Sequence, residues 1–123
     1  MGLLFVTYLV QIMDSSKLET IIEGLDKEWE IPNGFFYKSR NGIMDEEGFF
    51  RVISLLEESK DIVSISPNES VISRRFVKAI WFLPLFLSWQ DERINDKGFP
   101  ADIYMGQWVA RITQLVEDIL GSP

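Results

Sequence analysis

Apolar side chains recur at helical spacing along most of this chain, and each run has a recognisable start or stop. Leu18, Ile21, Ile22, Leu25 and Trp29 follow one another at i, i+3, i+4, i+7 and i+11, one stripe along a helix. Ser16 and Glu19 open it with capping-box spacing, the hydroxyl accepting from an early N–H and the carboxylate reaching back. Glu23 and Lys27 make a favourable i,i+4 pair. Ile31-Pro32-Asn33-Gly34 stops the helix, because a residue before proline avoids the α region. A second helix starts at Asp45, which with Glu46 and Glu47 places negative charge at the positive end of the macrodipole. Its buried face is Phe49, Val52, Ile53 and Leu56, and Gly48 weakens its first turn by about 1 kcal/mol. It runs out near Glu57-Glu58-Ser59-Lys60, leaving Asp61 to Ser66 as a connector. Ser66-Pro67-Asn68-Glu69 supplies another capping box, with Pro67 where its missing donor costs nothing. Val71, Ile72, Phe76, Ala79, Ile80 and Leu83 then trace an apolar side, with Arg74, Arg75 and Lys78 largely opposite. After a turn at Asn95-Asp96-Lys97-Gly98, Phe99-Pro100 leads into a last helix carrying Met105, Trp108, Val109, Ile112, Leu115, Val116, Ile119 and Leu120, and Gly121 ends it.

Three stretches depart from this amphipathic rhythm. From Ala79 to Trp89 the chain reads AIWFLPLFLSW, with no charge. Pro84 cannot donate to the Ile80 carbonyl, so the helix bends or restarts there, and each half is roughly 15 Å long. Neither half spans a hydrocarbon layer of about 30 Å. An all-round apolar helix is instead the central one of a bundle, so this run is assigned to the core. The segment 33–44, NGFFYKSRNGIM, lies between two Asn-Gly pairs and reads as an aromatic loop or small hairpin. In GLLFVTYLVQIM at the N-terminus, Thr7 and Gln11 share one helical side, which fits a largely buried helix. The β-branched Val6, Thr7, Val10 and Ile12 are also compatible with a strand, and Met13 offers an alternative start. No basic residue precedes this run and no small-x-small cleavage sequence follows it, so it is not expected to be a secretion signal. Together these elements predict an all-α, single-domain bundle of five to six helices over residues 1–123, with a short aromatic loop or hairpin near residues 33–44.

Composition narrows the chemistry. The chain has no cysteine and no histidine, which removes disulfides, thiolate nucleophiles, the commonest zinc ligands and the commonest general base near neutral pH. Nineteen acidic residues against twelve basic ones give a net charge of −7. A field of that sign repels nucleic-acid phosphates and anionic lipid, and it speeds encounter with basic partners. Neither direct nucleic-acid binding nor a membrane is therefore expected, and the absence of cysteine suits the cytoplasm.

No catalytic motif emerges. Gly-x-Ser-x-Gly, Gly-x-Gly-x-x-Gly and Walker-type sequences are absent. Acid neighbours such as Glu46-Glu47, Glu57-Glu58, Asp91-Glu92 and Glu117-Asp118 point about 100° apart on a helix and do not converge for acid–base work. Glu19, Glu23, Asp26 and Glu30 line a solvent side opposite the apolar stripe, where no metal is held. The expectation is a protein with no enzymatic activity, no metal and no cofactor. Trp81 and Trp108 fall on apolar stripes and are assigned to the core. Trp89, which directly precedes Gln90-Asp91-Glu92-Arg93, and Tyr37 in the aromatic segment are candidate interface anchors, although a packing role also fits Trp89.

Small size, acidity, helical content and the clusters Glu57-Glu58-x-x-Asp61 and Asp91-Glu92 give the chain a profile that resembles bacterial immunity proteins. These are small antitoxins that neutralise secreted nuclease toxins such as those of contact-dependent growth inhibition. The resemblance is one of class rather than motif. It implies occlusion: acids mimic phosphate, cover a toxin's cationic site and exclude RNA or DNA. The partner-binding residues so expected are Tyr37, Glu57, Glu58, Asp61, Trp89, Asp91 and Glu92, and the partner is a basic protein, a toxin domain. The alternative is a helical adaptor or regulatory domain whose partner need not be basic.

Overall fold

The structure, a computed structural model, describes residues 16–65 and 73–121, and these form an all-α, single-domain bundle. The apolar N-terminal segment, the start at Met13, the cap at Ser66–Glu69, and Val71 and Ile72 lie outside the described residues.

Helix α1 covers 16–27 and buries Leu18, Ile21, Ile22 and Leu25 as the stripe predicts. Ser16 is already helical, so it is not the cap, and Glu19 pairs with Arg75 instead of reaching back. The helix stops at Glu28 rather than at Ile31 because the next element claims Glu28 twice. Its main-chain oxygen accepts from the Phe36 N–H at 2.8 Å and its carboxylate from the Phe35 N–H at 3.0 Å.

That next element corrects the expected loop or hairpin: Phe35–Arg40 is a helix, α2. Phe35, Phe36 and Ser39 turn inward together, so the aromatic pair is core. Gly42 closes the turn after it with φ of 76°, and a Cβ there would meet the Arg93 carbonyl oxygen at 2.5 Å. Helix α3, Glu46–Ile65, starts where Asp45 accepts from the Gly48 N–H at 3.1 Å. A Cβ on Gly48 would lie 2.9 Å from that of Phe35, so this glycine permits α2 to cross α3 closely. The helix runs on through residues 61–65, where a connector was expected. Ser59 is buried in line with Leu56 and Ile62, and its hydroxyl bonds back to the Leu55 carbonyl at 2.8 Å. A polar residue on the inner stripe had disguised its continuation.

Helices α4, Arg74–Ile80, α5, Leu83–Ser88, and α6, Asp91–Asp96, form one kinked run. Ser73 is extended, with ψ of 152°, and its hydroxyl accepts from the Phe76 N–H at 3.1 Å, so it caps the start of α4. Pro84 sits in the first turn of α5, the restart its chemistry predicts. Only one side of the run is core: Phe76, Ile80, Leu83, Phe86, Leu87 and Ile94 are buried. The other side reaches solvent, which corrects the assignment of Trp81 to the core and of the whole run to the centre of the bundle. Helix α7 comprises Ala101–Ile103, a π-helical stretch Tyr104–Val109 and Ala110–Leu120, with Gly121 at φ of 89° after it. It runs beside α3 in the same direction: Phe49 stacks on Trp108 at 4.7 Å, and further along Lys60 bonds to Asp118 at 3.1 Å.

Candidate functional site

Two polar groups inside the bundle are structural. Glu28 is buried, and its carboxylate takes the Arg51 guanidinium through two bonds of 2.8 and 2.9 Å as well as the Phe35 N–H. This bidentate pair joins the turn after α1 to α2 and α3, and the bond to Glu28 raises the Arg51 pKa further above its ordinary value. The second group surrounds Tyr104, whose hydroxyl donates to the Leu87 carbonyl at 2.8 Å. Burial pushes that hydroxyl well above the usual tyrosine range, and the Asp91 charge adds to the shift. Asp91 is half-buried with Oδ1 enclosed, so one of the expected surface acids belongs partly to the interior.

The remaining expected residues divide between two surfaces. Glu57, Glu58 and Asp61 are exposed on α3. Glu57 pairs with Arg111 at 3.2 Å, and the nearby Lys60 is taken by Asp118, whose carboxyl is held below its ordinary range by Gln114 and then Lys60. Among the described residues no Lys or Arg lies within ion-pairing distance of Glu58 or Asp61. Trp89 and Glu92 are exposed at the α5–α6 junction. Helix α6 packs against Ala101–Val109, whereas Glu57 and Lys60 meet Arg111 and Asp118 in the later part of α7. At 1.5 Å per residue the middles of those levels lie roughly 14 Å apart. Tyr37, half-buried on α2, makes no ion pair or aromatic contact among the described residues that would join it to either set.

What the sequence reading missed is a row of exposed apolar side chains. Trp81, Leu85 and Trp89 are 57%, 49% and 62% exposed and stand four residues apart along α4–α5. Their spacing was visible within AIWFLPLFLSW, but uniform hydrophobicity concealed which side faced solvent. Trp29 and Phe82 stack behind the row at 5.9 Å, so Trp81, against Phe82 at 5.8 Å, projects from a packed aromatic base. A separate open cleft of about 650 Å³ lies between α3 and α7, where Phe50 and Ile103 reach solvent beside Met44, Phe99 and Trp108. Among the described residues no three acidic, histidine or cysteine side chains gather to hold a metal ion, and no helix is long and apolar enough to cross a membrane. No protein-family model matches the chain, and no curated protein or solved structure is significantly similar to it.

Proposed function

We propose that this protein acts by binding another protein and blocking it, as an immunity-type antitoxin in the cytoplasm whose α3 acids meet a basic toxin domain. The observation that carries this reading is where those acids stand. The negative end of a helix dipole favours cations. Yet the last described turn of α3 holds no basic residue, and Glu57, Glu58 and Asp61 stand exposed four to eight residues before Ile65. Lys60, the one cation among them, is turned to Asp118, and among the described residues no ion pair engages Glu58 or Asp61. Such local electrostatic conflict is what a site kept for a partner looks like.

In this reading the work is occlusion. Carboxylates on a rigid helix compete with nucleic-acid phosphate for a cationic groove and exclude RNA or DNA from it. No bond is made or broken, and the net charge of −7 steers the encounter. A second reading, a helical adaptor with a partner that need not be basic, draws support from the tryptophan row standing away from these acids.

Replacing Glu57, Glu58 and Asp61 by Lys should lower the association rate with a basic partner about tenfold or more, most strongly at low salt. Unchanged kinetics with an intact circular-dichroism spectrum would remove α3 as the contact surface. Isolation of the complex from native cells should recover a nuclease toxin domain, and co-expression should protect growth against it. Recovery of a metabolic assembly instead would favour the adaptor.

A further inference from the structure

The exposed row on α4–α6 extends beyond its three apolar members. Arg74, Lys78, Trp81, Leu85, Trp89, Glu92 and Asp96 are all exposed, and successive members are three or four residues apart. Trp81 and Trp89 keep helical angles, while Phe82 and Gln90, with ψ of 0°, turn the chain at each kink, and every member of the row on either side is exposed. Its order is symmetric about Leu85. Trp81 and Trp89 stand four residues to either side, Lys78 and Glu92 seven, and Arg74 and Asp96 eleven. At each charged pair of positions the signs are opposite.

We propose that this face binds a second copy of the same chain, antiparallel, about a two-fold axis through Leu85. That operation sets Trp81 against the partner's Trp89 and Lys78 against the partner's Glu92, each contact occurring twice, and Leu85 against the partner's Leu85 once, on the axis. The three apolar side chains leave water together at the centre, with the ion pairs at the rim. The recess formed by Arg74, Val77, Lys78 and Trp81 is where the partner's Glu92 arrives, between two cations. Asp96 borders a recess that also contains Arg40, Arg93 and Lys97, so its pairing with Arg74 is the weaker one. A parallel arrangement would oppose Lys78 to itself. A basic protein would meet Arg74 and Lys78 unfavourably, so this face is distinct from the α3 acids and the dimer does not depend on the antitoxin reading. A face one helix wide lies at the small end of specific interfaces, and a dissociation constant of about 10 μM is expected.

Charge exchange tests both the occupant and the register. Sedimentation velocity over a concentration series should show monomer passing to dimer. Lys78→Glu alone should weaken the dimer at least tenfold by opposing two glutamates, and Glu92→Lys alone should do so by opposing two lysines. An equimolar mixture of the two variants should associate, because both cross pairs are then of opposite sign. The double variant K78E/E92K should recover the parent affinity. All four positions of the mixture are on the surface, and circular dichroism checks that each variant is folded. A monomer at every concentration overturns the proposal. So does a dimer indifferent to these charges, or one lost on Trp89→Ala but unrestored in the mixture, since either would require another surface or register.

Discussion

Tyr104 is fully buried, and its hydroxyl has one strong bond, to the Leu87 carbonyl. Its pKa is raised in the folded state, so folding favours the protonated form. The stability this contributes is complete below the unfolded tyrosine pKa of about 10 and is lost as pH rises beyond it toward the folded value. Tyr104→Phe should cost about 1 kcal/mol at neutral pH, because the Leu87 oxygen keeps its bond from the Gln90 N–H. Above pH 10 the gap between wild type and variant should close, since only the wild type must keep a phenol protonated to stay folded. Urea unfolding of both proteins at stepped alkaline pH measures it. A gap that is constant with pH would mean the hydroxyl is not isolated from solvent. Residues of this kind were invisible in the sequence: nothing local distinguishes Tyr104 from Tyr37, and only the crossing of α5 over α7 makes one interior. Glu28 was hidden in the same way, as its partner Arg51 lies 23 residues along the chain.

Helix α4 is capped at its start by the side chain of Ser73. Ser73→Ala removes the acceptor for the Phe76 N–H and should lower stability by about 1 kcal/mol. Ser16→Ala, inside α1, should change stability by less than about 0.5 kcal/mol. Thermal melts of the two variants distinguish the cap in use from the capping-box spacing that is not used. Elements were legible where pattern and chemistry agreed. The apolar stripe of α1, the Asp45 cap, the restart at Pro84 and the glycine stop at Gly121 all rest on local rules that tertiary contacts left intact. Elsewhere contacts overrode them. Phe35 and Phe36 are helical because α2 is clamped by Glu28, and α3 continues past Lys60 because Ser59 satisfies its hydroxyl within the helix. Of the expected contact residues, Glu57, Glu58, Asp61, Trp89 and Glu92 are exposed. Trp81 and Leu85 were missed, since periodicity identifies a buried stripe only against a polar background.

Across the whole molecule, charge is distributed so that some acids stabilise the fold and others work against it. Glu28, Asp45, Glu19, Glu57 and Asp118 each lie beside a cation. Glu58 and Asp61 add to the self-repulsion of a chain of net charge −7. If these acids are retained for a partner, removing them should stabilise the protein by itself. Glu58→Lys with Asp61→Lys changes the net charge from −7 to −3. The double variant should gain about 0.5 kcal/mol, a melting temperature higher by about 2 °C, at low salt. The gain should shrink as salt shortens the Debye length to about 10 Å or less. Glu57→Lys serves as the contrast: it breaks the bond to Arg111 and opposes two cations, so it should gain nothing or lose stability. Calorimetry of the three proteins at two ionic strengths separates the cases. A fall in melting temperature on reversing Glu58 and Asp61 would make those acids part of the fold's own electrostatics and remove the reason for assigning them to a partner.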